Sequence, residues 1–329
     1  MSLGTREVLL SIRGLTVEFK IPRGILRAVD NVYLDVYKGE VLGLAGESGC
    51  GKSVLAHAIL NIVDPNGYIK SGKIIFRDNN KEIDILSLPK GRLRRFRWEK
   101  ISIVFQGAQN SFNPVIKIKD HFIDTVVDHK GRISTKKIFE EAEKLLKQVR
   151  LDASRVLGMY QHEMSGGMKQ RALMALSFIL KPKLIILDEP TSALDVLTQK
   201  YIVSLLKEIH EKTGVTMIFI THDLPVLAEI ADRIAIMYLG NIVEVADVRK
   251  IFYEPKHPYT QALLKSIPSI VGPIEELRPL PGPRPDPVHP PPGCKFHPRC
   301  PHRMKICEIE VPKLVDIGDG HYVACHLYQ

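Results

Sequence analysis

Between positions 46 and 53 the chain reads Gly46-Glu47-Ser48-Gly49-Cys50-Gly51-Lys52-Ser53, which fills every fixed place of the pattern G-x-x-x-x-G-K-[ST]. No other stretch constrains the fold so tightly. Gly49 and Gly51 let backbone N–H groups turn inward as a nest for anionic oxygens. Lys52 carries an ammonium for β- and γ-phosphates, and Ser53 a hydroxyl for Mg²⁺. Such a loop must leave a strand and enter a helix. Glu40–Ala45 has the apolar pattern of a buried strand, and Val54–Leu60 that of a helix whose N-terminus adds partial positive charge. The run predicts that Ser48, Gly49, Cys50, Gly51, Lys52, Ser53 and Val54 contact a nucleoside triphosphate. A glycine-rich turn without a ligand is the plain alternative, and the complete set of fixed residues argues against it.

At 329 residues the chain exceeds what one core usually supports, so two domains are expected. Its 45% hydrophobic and 25% charged residues are ordinary globular usage. No apolar run approaches the ~18 residues of a membrane span, and Met1–Arg6 lacks the apolar core of a signal peptide. A cytosolic protein is therefore expected. The net charge of +9 would suit nucleic acid or an anionic membrane surface. Solvated basic faces explain it as well, and no nucleic-acid motif accompanies it. The densest basic run, Lys90–Lys100, has apolar residues interleaved and reads as a helix edge or a linker.

Apolar and polar residues alternate from Leu9 to Phe19, as in a half-buried strand. A turn at Pro22–Gly24 leads to a second strand over Leu26–Val36, and Ser71–Phe76 adds another. This gives a β-rich layer beside the loop-bearing strand. From Asp120 to Tyr160 the period becomes helical, with Ile138, Ala142, Leu145, Leu146 and Val149 on one face. Core strands at Leu184–Leu187, Met217–Ile220 and Arg233–Met237, separated by helical segments, predict a largely parallel sheet. Eight prolines between Pro279 and Pro292 then force extended structure, and four of the five cysteines follow them.

Two further motifs carry chemistry. Leu184-Ile185-Ile186-Leu187-Asp188-Glu189 is a buried strand ending in two carboxylates. Asp188 is expected to hold Mg²⁺ and Glu189 to polarise an attacking water. Met164-Ser165-Gly166-Gly167-Met168-Lys169-Gln170-Arg171 leads into an apolar helix over Ala172–Leu180. Ser165, Gly166 and Gly167 then sit at a helix N-terminus, which favours an anion.

With these three motifs in order, the chain resembles the ATP-binding cassette (ABC) transporter ATPases, whose signature is usually Leu-Ser-Gly-Gly-Gln. Here Met164 and Met168 replace the first and last of these residues. The resemblance implies a phosphate-loop NTPase of α/β class, with a RecA-like core, an antiparallel β layer, a helical subdomain near 111–180 and a small cysteine-containing tail domain. It also implies that two cassettes sandwich two ATP molecules head to tail. Gln106, after Val104-Phe105, resembles the Q-loop glutamine that reaches Mg²⁺ or the lytic water; Ser53, Gln106 and Asp188 would thus share the Mg²⁺. Thr191-Ser192-Ala193-Leu194-Asp195 resembles the D-loop, so Asp195 joins the nucleotide-contacting set. His222, after Ile218–Thr221, resembles the switch histidine, and Phe19 the aromatic that stacks on adenine.

The branch is narrowed by Tyr160–Arg171, by Ser111-Phe112-Asn113-Pro114, by His257-Pro258-Tyr259-Thr260 and by the tail from Cys294-Lys295-Phe296-His297-Pro298-Arg299-Cys300 to Cys325. All are similar to oligopeptide/dipeptide importer ATPases, in particular their D-type subunit. That resemblance implies a nucleotide-binding domain over 1–255, a C-terminal domain over 256–329 and a location on the inner face of the cell membrane. It implies as partners an F-type ATPase, two membrane permeases and an external solute-binding protein. Importers of oligosaccharides or other small solutes, and cassette ATPases acting on nucleic acid or ribosomes, are the rival readings. Cys294, Cys300, Cys307 and Cys325 lack a tight C-x2-4-C knuckle. Together with the resemblance this points to a [4Fe–4S] cluster, with zinc, free thiols and disulfides as alternatives. Because the tail follows all the ATPase motifs, ATP binding is expected to survive loss of that cluster.

Overall fold

A computed structural model describes residues 6–79, 81–107, 111–192, 194–267 and 280–329. Met1–Thr5, Ala193 of the D-loop motif and Pro279 lie outside the described residues. The chain divides into two compact units, one of residues 1–87 and 221–329, the other of residues 88–220.

The first unit begins with β1 (Val8–Ile21) and β2 (Gly24–Tyr37), joined by the expected tight turn. β3 (Val41–Ala45) feeds the glycine loop, and α1 (Lys52–Ile59) leaves it. β4 (Gly67–Asp78) and β5 (Lys81–Asp84) complete an antiparallel sheet in the order β2-β1-β4-β5. Leu10, Ile12, Val17, Ile74 and Phe76 supply its apolar face. Its other chemistry gathers at Glu18, a buried carboxylate that accepts from Lys70, Tyr68 and Arg27 at 2.8, 2.8 and 3.1 Å. Chiefly the Lys70 hydrogen bond, then those of Tyr68 and Arg27, holds Glu18 down at about 2 against burial.

The second unit starts with α2 (Lys90–Glu99), so the basic run is a helix that buries Leu93 and Phe96. Its helical geometry breaks at Arg97 and Trp98. β6 (Ile101–Val104) follows. Then come α3 (Ile118–Lys130), α4 (Thr135–Gln148), α5 (Ala153–Gly158) and α6 (Gly166–Ser177), the helical stretch that periodicity predicts. Ile138, Ala142, Leu145 and Leu146 form the buried stripe of α4. β7 (Leu184–Asp188), α7 (Val196–Thr213) and β8 (Thr216–Ile220) close the unit. β6, β7 and β8 pair in parallel. Every residue of β7 and β8 is buried, as expected of parallel strands covered on both faces.

The chain then returns to the first unit with α8 (Leu224–Ile230), β9 (Arg233–Tyr238) and β10 (Asn241–Asp247). β9 runs parallel to β3 and antiparallel to β10. After α9 (Val248–Tyr253) and α10 (Pro258–Lys265), the tail contributes β11 (Val315–Asp316) and β12 (Tyr322–Val323). β12 pairs with β10, which joins the cysteine-bearing tail to the sheet that carries the glycine loop.

Candidate functional site

Backbone approach, more than side-chain packing, shapes the loop after β3. A Cβ on Gly46 (φ +149°) would lie 2.1 Å from the Met237 carbonyl oxygen, and one on Gly51 (φ +109°) 2.2 Å from that of Ala28. Neither position tolerates a side chain. Lys52 is buried, and its Nζ donates to the carbonyls of Gly46 (2.8 Å) and Glu47 (3.2 Å), so the ammonium points back into the loop. Ser53 follows within the first turn of α1. Cys50 is buried beneath the loop, and desolvation pushes its thiol up, so it packs as a small apolar side chain. Phe19 is half-buried in β1, its ring so close to Gly67 that a Cβ there would stand 2.6 Å from Cε1. Thr221 donates its N–H to Leu44 O at 3.2 Å, and His222 is the exposed residue that follows.

The tail reaches this loop. Arg299 is buried and donates from Nη1 to Glu47 Oε2 at 3.0 Å and to Tyr238 Oη at 3.3 Å, and from Nε to Pro281 O at 2.7 Å. The Glu47 N–H donates to Tyr259 Oη at 2.9 Å. Arg284 stands over Gly49, where a Cβ would lie 3.3 Å from its Nη2. Sequence reasoning missed these contacts. Tyr259 and Arg299 lay inside motifs read only as markers of a branch.

In the second unit, β7 delivers Asp188 buried at its end and Glu189 one residue beyond. Glu189 sits at φ +49°, a left-handed conformation that is costly for a residue with a side chain. Backbone bonds hold it there: its N–H donates to Ile220 O at 2.9 Å, and its carbonyl accepts from the Ser192 N–H at 3.1 Å and from Ser192 Oγ at 2.9 Å. Ser165 is the exposed N-cap of α6, its Oγ accepting from Met168 N at 3.3 Å. Gly166 and Gly167 open the helix behind it. Asp195 caps α7, accepting from the Thr198 N–H at 3.0 Å and its hydroxyl at 2.6 Å, and the hydroxyl bond chiefly holds its carboxyl low. A Cβ on Gly167 would stand 3.6 Å from Thr198 Cγ2, so the signature and D-loop motifs are neighbours. Gln170, buried, donates from Nε2 to Pro190 O at 2.8 Å and ties α6 to the segment just after Glu189. Gln106 is exposed two residues past β6, where the chain runs toward residues 108–110, outside the described residues.

The four tail thiols are drawn into one another's fields. Burial pushes Cys294 up to about 11, with Cys307, Cys325 and Cys300 adding to the effect. Burial also raises Cys300 and Cys325. Among the described residues, however, no three or more His, Cys, Asp or Glu side chains form a group that could hold a metal ion. The iron–sulfur expectation thus finds no support in the described side chains. No helix among the described residues is long and apolar enough to cross a membrane.

A glycine-walled phosphate loop between a buried parallel strand and a helix, together with a strand-end acid pair and a capped Ser-Gly-Gly helix, defines an ATPase of the phosphate-loop class. Comparison with known proteins carries this further. Residues 29–192 match the ABC transporter family, and residues 243–307 match the oligopeptide/dipeptide transporter C-terminal region. Dipeptide transport ATP-binding protein DppD of Caldanaerobacter subterraneus subsp. tengcongensis is 42% identical over 98% of both chains. Oligopeptide transport ATP-binding protein OppD of Escherichia coli is 39% identical over 97% of this chain and 93% of its own. A solved dimeric ATP-binding cassette, MJ0796 bound to ADP and phosphate, superposes with a TM-score of 0.64 at 27% identity, covering 73% of this chain and 99% of its own. The chain belongs to the ABC transporter ATPases, and it carries the C-terminal region of the oligopeptide/dipeptide branch.

Proposed function

We propose that this chain is the ATP-hydrolysing cassette of a binding-protein-dependent importer of dipeptides or oligopeptides. The observation that carries the reading is the joint match to the cassette and to the oligopeptide/dipeptide C-terminal region, with relatives named as peptide transport proteins over nearly the whole chain. Residues 1–255 would form the nucleotide-binding part, with a helical subdomain near 111–180, and residues 256–329 the branch-specific part.

The chemistry assigned to the chain is electrostatic positioning. Ser48, Gly49, Cys50, Gly51 and Val54 bring main-chain N–H groups to the phosphates, and Lys52 brings its ammonium. Phe19 offers a ring face to adenine. Ser53, Gln106 and Asp188 would hold Mg²⁺, which supplies charge neutralisation at the phosphate oxygens. The buried Asp188 and the Ser53 hydroxyl are hard oxygen donors of the right kind. Glu189, fixed in a left-handed backbone, orients the lytic water, and His222 reads the γ-phosphate. Ser165, Gly166, Gly167 and Asp195 act on the nucleotide of an opposing cassette. In support, Ser165 and Asp195 are exposed caps, flanked by Val196 and Leu197 at 79% and 81% exposure. An F-type cassette is the proposed partner, with two permeases and an external binding protein beyond it, and the inner membrane face is the site of action.

A [4Fe–4S] cluster on Cys294, Cys300, Cys307 and Cys325 also belongs to this reading. The four tail thiols would be its donor set, though the side chains would have to draw together to ligate it. No step of hydrolysis uses it. Iron and acid-labile sulfide assays on anaerobically reconstituted protein decide the point, since iron-free protein removes the cluster from the account. The reading as a whole is tested by Glu189→Gln in the assembled transporter. ATP binding should persist while turnover and peptide uptake fall by about 100-fold or more; near-native turnover would remove Glu189 from its role.

A further inference from the structure

Glu47 of the phosphate loop is held by two residues of the tail, Arg299 and Tyr259, and by Lys52 of the loop itself. Its side chain accepts from Arg299 Nη1 and Nη2 at 3.0 and 3.4 Å. Its N–H donates to Tyr259 Oη at 2.9 Å. Its carbonyl accepts from Lys52 Nζ at 3.2 Å. We infer that Arg299 is a positioning residue for ATP binding, acting through Glu47 to hold the phosphate loop in its anion-receptive shape. This rests on the reading of the loop as the ATP site.

Arg299 is well placed to hold something still. It lies at the end of a tight turn in which Cys294 N–H donates to Cys307 O at 2.8 Å, His297 N–H to Cys294 O at 2.9 Å and Arg299 N–H to Phe296 O at 2.9 Å. Phe296 is buried against the rings of Tyr238 and Tyr259, with centroids 5.3 and 5.4 Å away. The guanidinium also donates to Tyr238 Oη and Pro281 O, so its plane is fixed before it meets Glu47. Tyr259 belongs to α10 and Tyr238 to β9, so three separate segments converge on the loop.

Lys52 makes the link functional rather than merely architectural. A phosphate that engages the Lys52 ammonium competes with the Gly46 and Glu47 carbonyls for its three donors. The loop then loses an internal tie at the moment its N–H groups must stay aimed at the ligand. Arg299 and Tyr259 are the ties to Glu47 that a phosphate does not contest. Arg299 should therefore contribute to affinity for the nucleotide more than to the chemical step.

The test uses the full chain for binding and the assembled transporter for turnover, with MgATP as probe. Arg299→Ala and Glu47→Ala should each weaken MgATP binding by about tenfold and raise KM by the same factor, with kcat changed less than threefold. Combined, they should cost little more than either alone, because one link is removed twice. Glu47→Gln, which keeps the side-chain shape, should give an intermediate loss even if an alanine variant proves poorly folded. Native affinity in both Glu47→Gln and Arg299→Ala would overturn the inference, as would losses that add in the double variant. A wild-type chain that binds no MgATP would instead overturn the function on which the inference rests.

Discussion

On the proposed reading the phosphate loop and the signature helix both meet an anion, yet they are finished to different degrees. In the loop, the cationic side chain is buried, its glycines are locked against the carbonyls of Ala28 and Met237, and the tail grips Glu47 from outside. At the signature, Ser165 is an exposed cap with two glycines behind it, and the buried Gln170 anchors the helix to the neighbouring acid segment. The first is braced by side chains and carbonyls of its own unit. The second is an exposed cap that, on the proposed reading, serves the nucleotide of an opposing cassette. This contrast is what a two-cassette ATPase requires, and it lets the two regions be broken separately.

The largest expected effect lies in the loop. Lys52→Ala removes a charge-assisted bond to phosphate worth roughly 1.5–3 kcal/mol, so equilibrium MgATP binding should weaken by about 10- to 150-fold. At the signature, Gly166→Asp places a negative charge where the partner's phosphate must approach. Hydrolysis by the assembled transporter should fall by about 100-fold, because like charges brought together cost several kcal/mol. MgATP binding by the isolated chain should stay native, and a parallel loss of binding there would erase the contrast. Gln170→Leu is milder. It keeps the shape but loses the bond to Pro190 O, and about 1 kcal/mol predicts roughly a fivefold fall in kcat with little change in KM.

The smallest effect is on stability, and its sign follows from two groups in the loop's unit. Burial depresses His257 from 6.5 to about 4, against the opposing pull of Glu244, and its Nδ1 accepts from the Tyr259 N–H. Below pH 6.5 the unfolded chain takes up a proton that the folded chain refuses until about pH 4, so stability falls across that window. Glu18, held down at about 2, adds stability above its ordinary 4.5 that is lost as the pH falls toward 2. Thermal melts should therefore drop steadily from pH 7 to pH 4, and His257→Gln should flatten the upper part of that slope. A melting temperature that rises on acidification would contradict both assignments.

What could be read in the sequence was local. β3, the glycine loop and α1 are one uninterrupted run whose glycines and apolar residues leave a single arrangement, and β7, β8 and β9 announce themselves as short apolar blocks. The capping role of Ser165 follows equally from its place before an apolar helix. The rest depended on distance. Arg299 and Glu47 are 252 positions apart, and no periodicity or motif spacing connects an arginine before a cysteine to the second residue of a glycine loop. The left-handed Glu189 is invisible for a similar reason: its conformation is set by Ile220 and Ser192, not by its own neighbours' propensities. The basic Lys90–Lys100 run was ambiguous because its two anchors, Leu93 and Phe96, are too few to define a period.

The most direct test of a braced receptor and an open donor in one chain measures MgATP affinity and ATP turnover in the same samples, across a range of chain concentrations, with and without the paired cassette and membrane subunits. The account predicts that the isolated chain binds MgATP at every concentration but turns over slowly, and that the assembled transporter raises turnover by at least about tenfold without tightening binding to match. Full, concentration-independent turnover by the isolated chain would contradict it, because a single cassette would then complete its own site.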